Sequence, residues 1–345
     1  MKYPPLKSLH LRLTSKCNMN CKYCYADAIE NECSDNIFSE KIINKLIEES
    51  LKLGLEKVTL IGGEPTISDY FKYSLYKILN DTKDILIDIE TNGLIILQYY
   101  EILKKNKSRI DVAISFDDKS IRGEKKYNKI ISILDKLKNE TDWVYVQSII
   151  TNDNVKNGDI FNMIDYINSL KLGHRLFPGP NKMGRGIDSD YLEWSNTERV
   201  IKYCEKNKID NVRFELPDYM KSRQSKSCGW KNFRCEIMPN GNVTPCGPTA
   251  FNNPEFIAGN ILNDSLSTIW KNSTFFQWLR NIKQNEFEGK CNTCKHWINC
   301  LGKCRSFAWS WGGSIYSEYP HCREFDKSSI SIINDSVKPD TRYLF

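Results

Sequence analysis

Six short apolar segments, alternating with segments of helical periodicity, restrict the fold of this chain more than any other feature. The strand-like segments are residues 8–14, 57–63, 84–93, 109–118, 143–151 and 174–179. Apolar spacing predicts helices near residues 39–53, 70–80, 95–107, 124–138 and 157–171. Such alternation is typical of a parallel sheet covered by helices. Because six units are too few to close an eight-stranded barrel, we predict an α/β fold with an open partial (β/α)6 barrel.

The loops after the first two strands carry the residues with the most distinctive chemistry. The first loop contains CNMNCKYC, in which Cys17, Cys21 and Cys24 lie within eight positions, and the second contains GGEP at residues 62–65. In parallel barrels the functional loops follow the carboxyl ends of the strands. We therefore expect both loops at the same face of the sheet.

The composition favours metal or redox chemistry for the cysteines. The 345 residues include 13 cysteines, and no segment is long and apolar enough to be a signal sequence or a membrane span. We therefore expect a cytoplasmic protein with no membrane partner, in a compartment that keeps thiols reduced. The net charge of +6 comes from lysines that alternate with acids along helical faces, so no nucleic-acid partner is expected.

The character of the sequence changes after the sixth strand. A Gly- and Pro-rich loop near 180–190 is followed by a helical segment at about 196–207, and little periodicity remains beyond residue 228. We expect this last region to be held together by something other than a large apolar core. The predicted divisions are the partial barrel at 1–190, a connecting segment at 191–227, a loop-rich, cysteine-rich domain at 228–325 and a tail at 326–345.

Three clustered cysteines are well suited to an incompletely ligated iron–sulfur cluster. A [4Fe–4S] cubane held by three thiolates leaves one iron open to a small-molecule ligand. A zinc site completed by a histidine is the alternative that the spacing alone leaves open.

The segment CNMNCKYC, including Tyr23 before the third cysteine, resembles the cluster motif of the radical S-adenosylmethionine (radical SAM) enzymes. The resemblance implies that Cys17, Cys21 and Cys24 hold a [4Fe–4S] cluster whose open iron binds S-adenosylmethionine. One electron then yields a 5′-deoxyadenosyl radical, which removes a hydrogen atom from the substrate. It also implies a flavodoxin- or ferredoxin-type electron donor as a partner.

The same resemblance suggests which residues contact S-adenosylmethionine. GGEP resembles the segment near the methionine amino group, where Glu64 is expected to accept a hydrogen bond and the glycines to allow close backbone approach. Polar residues at the end of the fourth strand are expected near the ribose. The predicted cofactor-binding residues are Tyr23, Gly62, Gly63, Glu64, Pro65, Asn92, Ser115 and Asp117.

The C-terminal cysteines resemble the SPASM extension of a large radical SAM subfamily. The resemblance implies a C-terminal iron–sulfur domain with two auxiliary [4Fe–4S] clusters, hence three clusters in all. Crossed ligation would assign Cys228, Cys235, Cys246 and Cys304 to the first and Cys291, Cys294, Cys300 and Cys322 to the second. Leu301 and Lys303 depart from the usual glycine-rich pattern, and we expect ligation to tolerate them. A pair of structural zinc sites is the alternative for this region.

Two cysteines lie outside these sets. Cys33 and Cys204 are interpreted as small buried apolar side chains. Cys33 follows the cluster loop and is retained as a catalytic candidate, because some members of the family use a thiol as a hydrogen-atom donor.

The subfamily that this chain resembles catalyses several reactions, and the fold does not choose among them. We predict modification of a ribosomally synthesised peptide by crosslinking, thioether formation, epimerisation or oxidation. Because the chain begins only a few residues before its first strand, a separate leader-binding protein remains an open partner. The MGRG stretch at 183–186 is common in the peptide and tetrapyrrole branches and is interpreted as a turn with a surface arginine.

Three alternatives to peptide modification remain. The first is oxidation of a small molecule or a tetrapyrrole, and the second is sulfatase maturation. Gly247 stands where the resemblance implies a catalytic aspartate in the formylglycine-forming maturases, which disfavours the second. The third is a noncatalytic iron–sulfur electron-transfer module, which would not need GGEP or Ser115.

Overall fold

A single ten-stranded sheet organises the part of the chain that the computed structural model describes, namely residues 3–28, 36–217, 220–221, 229–251, 253–330 and 333. The strands are β1 (Ser8–Arg12), β2 (Lys57–Ile61), β3 (Leu86–Thr91), β4 (Ile110–Ser115), β5 (Val144–Ile150), β6 (Gly173–Pro178), β7 (Val212–Phe214), β8 (Arg234–Ile237), β9 (Asn242–Thr244) and β10 (Gly259–Asn260). Their order in the sheet is β10-β9-β8-β1-β2-β3-β4-β5-β6-β7.

The six predicted strands correspond to β1–β6, which pair in parallel in the order of the sequence. The predicted α/β class with an open partial barrel is therefore confirmed. The sheet also extends beyond the prediction at both edges. On one side β7 pairs in parallel with β6, and on the other β8 pairs in parallel with β1. The first strand thus has neighbours on both edges.

Helices between the strands cover the sheet. They are α1 (Glu40–Lys52), α2 (Phe71–Asp81), α3 (Tyr100–Lys105), α4 (Lys119–Arg122), α5 (Glu124–Leu137), α6 (Asn152–Lys156), α7 (Asp159–Ser169), α8 (Trp194–Lys206), α9 (Gly247–Phe251), α10 (Leu266–Asn272), α11 (Thr274–Asn281), α12 (Trp297–Cys300), α13 (Arg305–Gly312) and α14 (His321–Phe325). Short 3-10 helices cover Pro65–Ile67, Ile96–Tyr99, Gly184–Asp188, Pro254–Phe256, Gln284–Glu286 and Gly289–Thr293.

The helix α1 illustrates how local sequence sets these elements. Its N-cap Ser39 accepts a hydrogen bond from the Ile42 amide, which satisfies one of the unpaired donors of the first turn. Ile43, Leu46 and Ile47 form the buried stripe that packs on the sheet. Gly54 follows with a φ of 96°, a conformation that favours glycine and ends the helix.

The C-terminal region packs on the same apolar core as the barrel, contrary to the expectation of a region without such a core. Buried apolar residues form one continuous cluster from Leu6 to Ile333. Trp270 of α10 is 1% exposed and donates from Nε1 to the carbonyl of Pro4 at 2.9 Å. Aromatic packing of this kind buries apolar area that cannot be predicted from the short, aperiodic elements of this region. The domain boundaries given above remain a prediction.

No helix in the described ranges combines the length and the hydropathy needed to cross a bilayer.

Candidate active site

A cavity of about 370 Å³ opens where the loops after the first strands meet. It is lined by most of the residues that the sequence predicts for the cluster and for S-adenosylmethionine: Cys17, Cys21, Tyr23, Cys24, Gly62, Gly63, Asn92, Ser115 and Asp117. These residues follow β1, β2, β3 and β4. The structure therefore brings the predicted residues together at the carboxyl ends of the parallel strands, as expected for the fold.

The three cysteines of the first loop are held in a partly buried turn. The amide of Cys24 donates to the carbonyl of Cys21 at 3.2 Å, and the amide of Met19 donates to the Cys17 sulfur at 3.4 Å. Burial raises the pKa of Cys17 to about 11 and also raises the pKa of Cys21. Deprotonation of these thiols therefore requires a strong electrostatic partner, which bound iron provides.

The two glycines of GGEP let the second loop pack directly on the cluster loop. The Gly63 amide donates to the carbonyl of Thr14 at 2.8 Å. A Cβ at Gly63 would lie 2.2 Å from the carbonyl oxygen of Lys16, and one at Gly62 would lie 2.9 Å from that of Thr14. Glycine is required here because backbone lies against backbone.

Glu64 is buried behind the cavity wall and is held by other residues of the chain. Its side chain is 0% exposed and does not line the cavity. The carboxylate accepts hydrogen bonds from the Thr91 hydroxyl at 2.6 Å, from the Asn92 amide at 2.6 Å and from Thr66. Burial raises the pKa of Glu64 above its ordinary value. Glu64 thus fastens GGEP to the end of β3, and Pro65 begins the 3-10 helix behind it.

Asn92 and Asp117 also have partners within the chain. Asn92 donates from Nδ2 to Asn18 Oδ1 at 2.7 Å, which ties the end of β3 to the cluster loop. Asp117 forms a buried ion pair with Arg122 at 2.5 Å. The phenol of Tyr23 lies near this pair, and burial raises its pKa well above the ordinary value. Ser115 accepts a hydrogen bond from Gln147 at 3.4 Å and remains at the cavity wall.

The MGRG stretch, interpreted from the sequence as a surface turn, packs against the cluster loop. The Arg185 amide donates to the carbonyl of Cys24, and its Nε donates to the carbonyl of Cys21, both at 3.0 Å. A Cβ at Gly184 would lie 2.5 Å from the Cys24 carbonyl oxygen. In the sequence, the two glycines that flank Arg185 were the available sign of this close backbone approach.

Charged residues on the interior faces of the strands also line the cavity and are absent from the sequence-based predictions. Arg12 of β1 forms a buried ion pair with Glu236 of β8 at 2.7 Å. Glu90 of β3 and Arg234 of β8 line the same cavity. The available signal was a charged residue inside an otherwise apolar strand, as in SLHLRLT and DILIDIETNG.

A second cavity, of about 270 Å³, is lined by all four cysteines predicted for the second auxiliary cluster: Cys291, Cys294, Cys300 and Cys322. Burial raises the pKa of Cys291, and the neighbouring Arg305 guanidinium opposes this. Arg305 is 3% exposed and donates to the carbonyls of Ile315 and Ser317. A buried cation beside Cys291 favours the thiolate form of this cysteine.

The residues predicted for the first auxiliary cluster are only partly within the described chain. Cys235 lies buried on β8, and burial raises its pKa. Cys304 caps α13 by accepting a hydrogen bond from the Phe307 amide at 3.4 Å. Cys246 directly precedes α9. Cys228 lies outside the described residues, as does the catalytic candidate Cys33.

The thiol-rich donor sets fit iron–sulfur clusters in their chemistry. A cubane takes one thiolate on each iron, and soft sulfur ligands suit iron better than the harder oxygen donors do. Within the described ranges, no three His, Cys, Asp or Glu side chains converge closely enough to chelate a single ion. Cys204 of α8 is 5% exposed, and burial raises its pKa to about 12, as expected of a small core side chain.

Family models match two parts of the chain. The model of the radical SAM superfamily matches residues 11–161, and that of SPASM, an iron–sulfur cluster-binding domain, matches residues 228–295. The first range contains the end of β1, the cluster loop and β2–β5. The second begins at Cys228 and includes Cys235, Cys246, Cys291 and Cys294.

Known proteins resemble the chain over most of its length. The mycofactocin maturase MftC of Mycobacterium tuberculosis (strain ATCC 25618 / H37Rv) is 26% identical, over 90% of this chain and 81% of its own. The AdoMet-dependent heme synthase of Methanosarcina barkeri is 23% identical, over 90% of this chain and 94% of its own. The structure of Streptococcus suis SuiB bound to the precursor peptide SuiA superposes with a TM-score of 0.68 at 18% identity, covering 91% of this chain and 75% of SuiB. This last likeness establishes the fold.

Proposed function

The chain is a radical SAM enzyme with a C-terminal SPASM iron–sulfur domain, and from this premise we propose that it modifies a ribosomally synthesised peptide. The observation that carries the proposal is the cavity in which Cys17, Cys21 and Cys24 meet the ends of four parallel strands. The modification itself is a crosslink, a thioether, an epimerisation or an oxidation.

The cluster loop supplies the site for the radical chemistry. Cys17, Cys21 and Cys24 would hold a [4Fe–4S] cluster with one open iron. When reduced and bound to S-adenosylmethionine, that cluster supplies the electron that generates a 5′-deoxyadenosyl radical. The protein's own contribution is to hold the loop rigidly and to limit water, because Cys17 is only 8% exposed. Gly62, Gly63 and Arg185 fix the loop from two sides.

We assign S-adenosylmethionine to the cavity wall formed by Gly62, Gly63, Asn92, Ser115 and Tyr23. The arrangement of Glu64 argues for a supporting role, because its carboxylate is already satisfied by Thr66, Thr91 and Asn92. Asp117 forms an ion pair with Arg122, so its carboxylate would contact the ribose only while it also binds Arg122.

Two auxiliary clusters complete the proposed set of three. Cys291, Cys294, Cys300 and Cys322 would hold one, and the cavity they share supports this assignment. Cys235, Cys246 and Cys304 would hold the other together with Cys228. A flavodoxin- or ferredoxin-type protein is the proposed electron donor, and the reduced thiol chemistry favours a cytoplasmic location. A separate leader-binding protein remains part of the proposal as an open partner.

The peptide substrate is supported by two similar proteins. MftC is a mycofactocin maturase, and SuiB has been solved with the precursor peptide SuiA. The heme synthase of M. barkeri makes a tetrapyrrole-like small molecule the second candidate substrate class.

The surroundings of Gly247 argue against sulfatase maturation. A Cβ at this position would lie 2.2 Å from Glu236 Oε1. The Gly247 amide donates to Glu236 Oε2 at 2.9 Å, so this contact is part of the native arrangement. An aspartate at this position would collide with a buried carboxylate and repel it.

The test separates the substrate classes. The protein is reconstituted with iron and sulfide without oxygen, reduced, and assayed for 5′-deoxyadenosine in the presence of host-cell extract divided into peptide-sized and small-molecule fractions. Stimulation by the peptide fraction that protease treatment destroys supports the proposal. Stimulation by the small-molecule fraction alone would replace it with the hypothesis of a small-molecule, tetrapyrrole-like substrate. If reconstituted protein makes no 5′-deoxyadenosine under any condition, the enzymatic proposal fails.

A further inference from the structure

Glu90 differs from the other carboxylates that line the active-site cavity. Three carboxylates line it, those of Glu90, Asp117 and Glu236. Asp117 is bound by Arg122 at 2.5 Å, and Glu236 is bound by Arg12 at 2.7 Å. No residue in the described part of the chain donates a hydrogen bond to Glu90, although the side chain is partly buried. A carboxylate in such a place normally has a partner.

The position of Glu90 places this carboxylate next to the cluster loop. Side chains two residues apart on a strand share a face, so Glu90 lies on the same face as Asn92, one step further into the barrel. Asn92 contacts the cluster loop through Asn18 at 2.7 Å. A group that is held beside Glu90 is therefore also held close to the cluster loop.

The neighbouring strand leaves space for such a group. The register partner of Glu90 on β4 is Ala113, whose side chain is small. Ser115 on the same strand and Gln147 on β5 add uncharged polar groups to the cavity wall. The wall around Glu90 thus combines one charged acceptor with neutral hydrogen-bonding groups, a pattern typical of ligand pockets.

The charge balance of the cavity indicates what kind of group fits. Its lining contains three arginines, Arg12, Arg122 and Arg234, against the three carboxylates. Burial and the nearby Asp88 raise the pKa of Glu90, whereas Arg175, Arg234 and Arg12 lower it. The arginines and carboxylates that the chain itself places around the cavity therefore balance before the cluster and S-adenosylmethionine bind, and a neutral donor keeps that balance whereas a further cation would not.

We propose that Glu90 accepts a hydrogen bond from a neutral N–H or O–H group of the substrate residue presented to the cavity. The inference rests on the proposed function, since it assumes that the reaction takes place in this cavity. The proposal therefore predicts a property of the substrate. The residue that is modified, or its immediate neighbour, carries an uncharged hydrogen-bond donor that contacts Glu90 on β3.

The experiment uses the reconstituted full-length protein with the active fraction from the assay above as the probe. Glu90→Ala and Glu90→Gln are compared with the wild type and with Glu101→Ala, which removes an exposed glutamate on α3. Two quantities are measured: 5′-deoxyadenosine formed without the fraction, and its stimulation by the fraction. Peptides or small molecules retained by unreduced enzyme with S-adenosylmethionine are quantified by mass spectrometry, which reports binding without turnover.

We expect the Glu90 variants to lose more of the stimulation by the fraction than of the uncoupled 5′-deoxyadenosine formation, because the proposed hydrogen bond is made to the substrate. A lost hydrogen bond to a charged acceptor is worth about 1.5–3 kcal/mol, so Glu90→Ala should reduce stimulation and retention by about tenfold or more. Glu90→Gln keeps a carbonyl acceptor and should retain a substantial part of both. Glu101→Ala should match the wild type.

Three outcomes would overturn the proposal. The first is full stimulation and retention in Glu90→Ala, and the second is a parallel loss of uncoupled cleavage with normal iron content. The third is complete loss in Glu90→Gln, which would indicate a cationic group instead of a neutral one. Failure of the proposed function has a different signature, because the wild type itself would then make no 5′-deoxyadenosine. A small-molecule substrate changes only which fraction serves as the probe.

Discussion

Arg12 and Glu236 form an ion pair of 2.7 Å in which both side chains are 1% exposed, and the pair joins the first barrel strand to the strand that carries Cys235. Arg12 also donates to the carbonyl of Gly62 at 2.7 Å and to the Tyr25 hydroxyl at 3.0 Å. Tyr25 directly follows the last cysteine of the cluster loop. One buried guanidinium therefore contacts the cluster loop, the glycine segment and the C-terminal cysteine region.

Removal of one partner of this pair should be strongly destabilising. Arg12→Met leaves the Glu236 carboxylate buried without its cation, which typically costs about 3–5 kcal/mol. Arg12→Met combined with Glu236→Met should cost less than the sum of the two single changes. The measurement is urea denaturation followed by tryptophan fluorescence. Lys77→Met, which breaks an ion pair with the exposed Asp81, is the control and should cost at most about 1 kcal/mol. Additive effects of the two changes would contradict direct coupling.

Gly63→Ala should prevent the second loop from packing on the cluster loop. The new methyl group would lie 2.2 Å from the Lys16 carbonyl oxygen, so either the loop moves or GGEP does. We expect a large fall in iron bound after reconstitution, measured by iron and sulfide analysis. Gly173→Ala is the matched control, because its Cβ would lie 3.6 Å from Tyr145 Cβ, an ordinary contact. Equal iron content in the two variants would show that cluster binding does not depend on this close approach.

The cysteine sets should divide into two functional groups. Cys17→Ala, Cys21→Ala or Cys24→Ala should abolish 5′-deoxyadenosine formation, because three thiolates are the minimum that hold a cubane with one open iron. Cys246→Ala or Cys300→Ala should remove iron but leave some uncoupled cleavage. The buried Cys204→Ala, outside every set, should keep wild-type iron content. Equal and complete loss in all ligand variants with folding intact would contradict this division.

Arg185→Ala should make the cluster loop more labile. The side chain bonds the carbonyl of Cys21 at 3.0 Å and Asp27 at 2.9 Å, and it is 22% exposed. Loss of such a partly solvated contact is worth about 1 kcal/mol, which corresponds to about fivefold faster release of iron to a chelator. Arg199→Ala removes an exposed arginine of α8 and should release iron at the wild-type rate.

His174 should make stability depend on pH. It is 1% exposed, and burial lowers its pKa from 6.5 to about 3. Ser148 donates to the Phe116 carbonyl, so its oxygen accepts from His174 Nε2 at 2.8 Å, which fixes the neutral tautomer. The unfolded chain binds a proton below pH 6.5 that the folded chain does not, so stability falls as the pH drops below 6.5.

The size of this effect follows from the linkage. Between pH 7.5 and 5.5 the wild type should lose about 1.4 kcal/mol of unfolding free energy relative to His174→Gln, which carries no titrating ring. Denaturation curves of both proteins at the two pH values give this difference directly, and other titrating groups cancel in the comparison. An identical pH dependence in the two proteins would mean that the pKa of His174 is the same in the folded and unfolded states.

The features that the sequence predicted are those that depend on residues close together along the chain. The strands β1–β6 were recognisable because buried parallel strands are continuous apolar runs, and the cysteine loops were recognisable by spacing. Strand β8 was missed because it has only four residues and because the partners of Arg234 and Glu236 are distant in the sequence. The bond from Arg12 to Glu236 joins residues 224 positions apart. The hydrogen bonds of Glu64 could not be predicted for the same reason, since Thr91 and Asn92 reach it only in the folded sheet.

The pairing of β8 with β1 has a consequence for how such a chain can change. The register aligns Leu9 with Cys235, and the other edge of β1 is occupied by β2. A slip of one residue would turn Cys235, Arg234 and Glu236 to the opposite faces of the strand. A replacement C-terminal segment acquired by recombination would therefore need a strand of the right pleat and length, besides the right cysteines. The barrel and the cysteine-rich segment therefore constrain each other through the hydrogen bonds of one strand.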